Sequence, residues 1–410
     1  MAADGFHVLR AGMTQALLRG PEQPATALLA YGGMVPGPLL RATRGEEVRA
    51  RLVNDLAEPT AVHWHGVRVP NAMDGVPHLT QPPVMPGDRF DYRFVARDAG
   101  TFWYRCRAPS LAGLERGLHG VVLVDEPIPP DVDRDLLLVL DAWPLKGDGT
   151  LDEANAAPSQ PTVNGAPAMD IVVRANERLR IRLLNATPSQ LLAIRIERHE
   201  ARVMAIDGQP AEPFIAHEGR VALGPGNRVD LFVDAALQAG DSASIMLQAT
   251  NGESALVRLR YNAGPPARPA VRAEPAPLPA NPLPARMDFS RAYRMDVPLD
   301  EAARGWKPSL QALSGDYGAP LFSVRRGGVA MLAFINAAAT SRVVHLHGHS
   351  FRLLDAMDDG WKPYWLDTLS VPPRRTARIA FVADNPGKWL IEARTLDSTT
   401  APMVAWFEVK

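Results

Sequence analysis

The chain holds a single cysteine, Cys106, among 410 residues. That rules out an internal disulfide framework and any metal site built from thiolates alone. No apolar run approaches the roughly 20 residues needed to span a bilayer, so no membrane span is expected. Neither sign of charge is in excess, with 44 Lys and Arg against 45 Asp and Glu. A near-neutral balance gives no reason to expect nucleic acid or an anionic membrane as a partner. The opening "MAADGFHVLRAG" lacks a basic segment followed by an apolar one, so no signal peptide is expected. Either the protein stays in the cytoplasm or an export signal has been removed from the chain. Convincing helical stretches are scarce too, and "PSLAGLERGL" (109–118) is the best of them. What is plentiful is Pro (38) and Gly (32), which implies many turns and therefore many short strands.

The hydrophobic pattern agrees. "EEVRARLVND" (46–55), "ERLRIRLLNA" (177–186) and "GVAMLAFINA" (328–337) each alternate apolar and polar residues and close on an Asn. Each follows a turn-rich stretch. Similar units at such intervals predict three related domains of one all-β type, of the sandwich or barrel kind. A Pro-rich link near 126–132 and the run "GPPARPAVRAEPAPLPANPLP" (264–284) separate them. The second run should lie extended over the surface as a semi-rigid connector. The expected domains are 1–127, 128–263 and 287–410, with 264–286 as linker.

Ten histidines are present, and five of them fall in two clusters, "AVHWHGV" and "VVHLHGHSF". On a strand, residues two apart share a face. His63 with His65, and His345 with His347 and His349, can therefore each present a row of imidazoles. Two such rows from different domains can converge on one metal, since imidazole suits copper, zinc and iron. The competing reading is a set of hydrogen-bonded core histidines.

The order and spacing of "HWHG", "DGVPHLTQPPVMPGDRFDYRF", "GTFWYRCR", "HLHGHSF" and "NPGKWLIEARTLDSTTAPM" resemble the multicopper oxidases over essentially the whole chain. That resemblance implies three cupredoxin-like Greek-key domains. It also implies a type 1 copper in the third domain, and a trinuclear cluster of one type 2 and two type 3 coppers between the first and third. In such enzymes the type 1 copper takes electrons from substrate and the cluster reduces dioxygen to water.

Carried over residue by residue, the resemblance is incomplete. His63 and His345 stand at the two type 2 positions, and His65 and His347 each at a type 3 position. His349 matches a residue the family does not use as a ligand. Arg342 stands where a type 1 histidine belongs, three residues before His345. The motif W-Y-H-x-H reads "WYRCR", so Arg105 and Arg107 replace two type 3 histidines. Glu392, Ala393 and Arg394 replace His-Cys-His, Ser398 replaces the further type 1 histidine, and Met403 keeps the axial place.

A blue-copper site needs two His, a Cys thiolate and a weak axial ligand, so no type 1 copper is expected. Cys106 points away from the Arg105 and Arg107 face and is read as a buried free thiol. Guanidinium offers five donors and no acceptor and cannot ligate a metal. Two unit charges 4 Å apart repel by roughly 4 kcal/mol at an effective dielectric near 20, so no type 3 pair is expected beside three arginines. Strand alternation should aim Arg105, Arg107, Glu392 and Arg394 into the former cluster cavity, with Glu392 pairing the guanidiniums.

The type 2 position stays open between one copper (or zinc) ion held by His63, His345, His65 and His347, and no ion. Three functions follow: a binding or structural protein without laccase turnover, a mononuclear copper protein with residual oxidoreductase activity, and a pocket for a small anion. A protein partner of unknown identity suits the first. The family's usual extracytoplasmic (periplasmic) location is the expected one, and the chain is read as a monomer. Trp64, Trp103 and Trp389 are read as core, Asp74 and Gln81 as structural, and "MDDGWKPYW" (357–365) as a loop over the third domain.

Overall fold

A computed structural model describes residues 4–107, 116–152, 157–249, 252–354, 362, 364–396 and 400–410. Of the helix expected at 109–118, residues 109–115 lie outside the described residues and 116–117 form a turn; most of the 357–365 loop also lies outside the described residues. Among the described residues strands dominate, and the one α-helix, Ser309–Leu313, is a single short turn. The chain divides into two compact units. One comprises Met1–Thr14, Leu28–Pro127 and Ala280–Lys410, and the other Gln15–Ala27 and Ile128–Pro279.

The expected all-β class with three cupredoxin-like domains is what the sheets show. His7–Ala16 pairs parallel to Glu47–Asn54, which pairs antiparallel to Arg89–Val95. Arg134–Pro144, Arg178–Asn185 and Arg228–Asp234 repeat that order and sense. Tyr293–Pro298, Val329–Asn336 and Arg375–Val382 repeat it again. The three segments with matching alternation are thus the same strand of three sandwiches, the middle one of each triplet. Alternation puts one set of side chains in the core, as with Val48, Ala50 and Leu52 or Leu179, Ile181 and Leu183. Those burials supply the hydrophobic drive, at about 25 cal/mol per Å² of apolar surface removed from water.

The closing asparagines have a shared structural task. Asn54 Nδ2 donates to the Glu58 and Val84 carbonyls, while its Oδ1 accepts from the Leu56 N–H. Asn185 does the same with Gln190, Leu223 and Thr187. Asn336 does so with Thr340, Val371 and Ala338. Each side chain satisfies buried backbone groups where the strand turns into its loop, as buried polar groups require.

Five strands, all in the first unit, carry the candidate site. They are β1 (Ala61–His65), β2 (Gly100–Arg107), β3 (Arg342–Leu346), β4 (Thr368–Val371) and β5 (Gly387–Thr395). β1 is the edge of a four-stranded sheet beside β2, and β3 lies between β4 and β5 in another. Residues 264–286 carry no strand. At its two ends this stretch is tied down within each unit: Ala273 accepts from Arg178, and Asn281 bonds the backbone of Ala99 on both sides.

Candidate metal centre

Four cross-strand pairs, two from each sheet, define the site. On β1 and β2, His63 lies opposite Arg105 and Ala61 opposite Arg107. On β3 and β5, His345 lies opposite Glu392 and Val343 opposite Arg394. The two sheets meet like with complement. His63 Nε2 is 3.1 Å from His345 Nε2, and Arg105 Nη2 donates to Glu392 Oε2 at 2.8 Å. All of these side chains except Arg394 are almost fully buried.

The hydrogen bonds assign the ring tautomers. His63 Nδ1 donates to the Asp74 carbonyl at 3.0 Å, and His345 Nδ1 to the Asp367 carbonyl at 2.9 Å. A carbonyl only accepts, so both protons sit on Nδ1 and both Nε2 atoms present lone pairs. Burial lowers the pKa of both rings, His63 to about 4 and His345 likewise downward, against the pull of Asp74 and Asp367. At neutral pH two lone pairs therefore face each other at 3.1 Å. With imidazole–metal bonds of about 2.0 Å, both nitrogens can reach one ion between them.

His65 stacks on His345, with ring centroids 3.5 Å apart and planes within 9°. Its Nε2 donates to Thr368 Oγ1 at 2.8 Å, because that hydroxyl already gives its proton to Asp367 Oδ1. A neutral His65 thus carries its lone pair on Nδ1. Ring nitrogens of His63, His65 and His345 all lie within 4.8 Å of one another. Because His65 lies flat on His345, its in-plane lone pair cannot aim at an ion held by His345 Nε2, so His63 and His345 are the pair that fits one copper or zinc ion.

His347 is built differently. Its Nδ1 donates to Asp74 Oδ2 at 2.8 Å, and its Nε2 accepts from Arg107 Nη2 at 3.1 Å. Burial depresses its pKa well below the usual value, so a neutral ring has its one lone pair occupied by a guanidinium. His63, Asp74 and His347 also group within 4.8 Å, but there the carboxylate meets ring N–H groups. Burial alone would raise the Asp74 carboxyl. Its contacts with His347 and then His63 bring it below the usual range.

Gly75 makes the approach of Asp74 feasible. Its φ is +77°, and a Cβ there would lie 1.8 Å from the Val62 carbonyl oxygen, beside His63. Only glycine fits such a contact in that conformation.

Glu392 accepts from Arg105, Arg107 and, at 3.3 Å, Arg394. Burial would raise its pKa, but the three guanidiniums hold it well below the usual carboxylate range. Arg394 is the most exposed member, its side chain 12% accessible. It reaches Glu392 from the rim rather than filling the interior.

The remaining predicted positions lie elsewhere. Ala393 is fully buried on the opposite face of β5, cross-strand from Met403, and Arg342 begins β3 half-buried. Ser398 lies outside the described residues. His349 packs on Phe381, Trp389 and Phe407. Cys106 is a buried free thiol 3.1 Å from Thr60 Oγ1. Trp64, Trp103 and Trp389 are buried.

Two contributions were not expected. Asp74 orients two histidines rather than serving only the fold, and Asp367 with Thr368 orients His345 and His65. The "DGVPH" motif flagged Asp74's neighbourhood, but nothing local ties Asp367 or Thr368 to His65, some 300 residues earlier in the chain.

Comparison with known proteins agrees with this frame. Three family models, each described as multicopper oxidase, match residues 13–128, 133–263 and 287–410. The multicopper oxidase MmcO of Mycobacterium tuberculosis is 29% identical over 418 residues, covering 90% of this chain and 80% of its own. A multicopper oxidase of Pseudomonas thermotolerans superposes with a TM-score of 0.85 at 33% identity, covering 98% of each chain. Lac15, from a marine microbial metagenome, does so at 0.82 and 32%, covering 98% of this chain and 99% of its own.

Proposed function

The chain belongs to the multicopper oxidase family, and on that premise we propose that it is a member reduced to one metal position. In this reading His63 and His345, with His65 beside them, hold a single copper or zinc ion. The type 1 and type 3 coppers are lost, and the protein binds rather than turning over as a laccase.

The observation that carries the reading is the facing pair of Nε2 lone pairs, each fixed by an Nδ1–H bond to a backbone carbonyl. Such outer bonds orient metal-ligating histidines and set their tautomers. A bound ion would supply Lewis acidity or one-electron chemistry at that point. The chain's own residues do the rest. Asp74 and Asp367 aim the rings, and Thr368 holds His65.

On the other side, Arg107 takes the His347 lone pair that a second ion would need. Arg105, Arg107, Glu392 and Arg394 occupy the remaining type 3 positions with groups that leave no ligand set. At the type 1 positions Arg342, Ala393 and Met403 offer one thioether. A substrate electron then has no relay, which argues against four-electron reduction of dioxygen. An extracytoplasmic location belongs to the same proposal and follows the family resemblance. Among the described residues no helix is long and apolar enough to cross a membrane.

The test is copper loading followed by dialysis, metal analysis and electron paramagnetic resonance. One tightly held copper per chain with a type 2 spectrum, no blue absorption and no phenol oxidation at laccase-like rates is the expected result. Copper held equally by His63→Ala/His345→Ala would overturn the assignment, and so would a blue band.

A further inference from the structure

We infer that Arg105, Arg107 and Arg394, arrayed around Glu392, form a binding site for a small planar monoanion of the carboxylate or bicarbonate type. The inference deepens the reading above and rests on it in one respect: a cation at His63 and His345 would add to the attraction.

The first support is charge stoichiometry. Among the described residues Glu392 is the one carboxylate that hydrogen-bonds these three guanidiniums. Elsewhere in the chain, buried arginines have carboxylates of their own. Arg178 pairs with Asp234, Arg180 with Asp230, Arg182 with Asp135 and Asp230, and Arg228 with Asp207. Where guanidiniums serve only the fold, this protein matches them nearly one to one. At the site it does not.

The second is donor stoichiometry. All three arginines spend Nη2 on Glu392, and Arg107 shares that atom with His347. The Nε atoms of Arg105 and Arg107 are buried and have no hydrogen-bond partner, although both side chains are more than nine-tenths buried. Buried guanidinium N–H groups are costly to leave unpaired. A planar oxyanion accepts in the fork geometry that guanidinium presents. The crowding shows in Arg105 itself: burial first, then Arg107 and Arg394, push its pKa down to about 10 despite Glu392.

Everything around the guanidiniums is buried except Arg394 at the rim, which favours a small occupant and makes formate the probe to use.

The experiment titrates carbon-13 formate into the folded, metal-free full chain and follows line broadening by nuclear magnetic resonance. It is repeated after zinc loading and on Arg394→Gln and Arg107→Gln. A single saturable site, weakened at least tenfold in either variant and not competed by inorganic phosphate, is the expected result. Zinc should tighten it. If one variant fails to fold, the other decides, with Arg105→Lys as a third that keeps charge but loses the fork.

No saturable formate binding by folded wild-type protein overturns the inference. Equal affinity in the folded variants, or equal competition by phosphate, overturns it too. Formate bound without zinc retention would keep the anion site and remove the metal reading. Zinc retained without formate binding would do the reverse.

Discussion

Two buried arginine networks in this chain answer the same problem differently. In the strands Arg178–Asn185 and Arg228–Asp234, alternate arginines lie against Asp135, Asp207, Asp230 and Asp234. At the candidate metal centre three arginines share one glutamate, while burial lowers the pKa of His63 and His347 beside them and keeps those rings neutral. Taking charges out of water is offset only by close, well-satisfied pairing. The first network meets that condition and reads as architecture. The second meets it only in part, and the proposed anion site rests on that shortfall.

The largest effect should come from removing the shared carboxylate. Glu392→Ala leaves two buried guanidiniums and a third at the rim without it, and breaking a buried pair this way costs about 3–5 kcal/mol, read by urea unfolding. Asp230→Ala, which strips Arg180 and Arg182 of a partner, should cost a similar amount. Arg394→Met, removing one surplus cation at the rim, should cost less than about 1 kcal/mol, as for partly exposed pairs. If Arg394→Met matched Glu392→Ala, the contrast between the networks would collapse.

Next is the ion itself. An ion that binds the folded state alone adds about 2.7 kcal/mol when free at 100 times its Kd. Copper should raise the unfolding midpoint of wild-type protein accordingly and leave His345→Ala unmoved. A comparable rise in His345→Ala would place the ion elsewhere.

A carboxylate in the second unit provides a control of opposite sign. Burial pushes the Asp141 carboxyl up to about 7, above its unfolded value of about 3.9. Its contribution is therefore full below pH 4 and is lost as pH rises from there through 7. Asp141→Asn should flatten that decline in unfolding free energy between pH 4 and 8. An unchanged slope would count against a neutral Asp141 in the fold.

The smallest effect is expected at Met403, which the family resemblance matches to the type 1 axial position. Met403→Leu conserves volume in a buried place and should cost less than about 1.5 kcal/mol. Copper content should be unchanged, and a loss of copper would revive a role for the thioether.

Much of this was legible in the chain. The alternating segments ending in Asn54, Asn185 and Asn336 announced three copies of one sandwich, because strand period and turn chemistry are local. The H-x-H pairs announced a shared face for the same reason, and the substituted motifs named Arg105, Arg107 and Glu392. Hydrogen-bond direction was not legible. That Arg107 takes the His347 lone pair, that Asp74 serves two rings, and that Thr368 holds His65 all depend on contacts between distant segments. Local pattern is silent there. It could also place Arg394 on the site's face of β5 but not tell that it would sit at the rim.

The most direct test is anomalous X-ray scattering at the copper edge from crystals grown with Cu²⁺. The account predicts one peak, between His63 Nε2 and His345 Nε2, with no density for metal beside His347 or Met403. A peak pair flanked by His65 and His347, or no peak between the facing histidines, would contradict it.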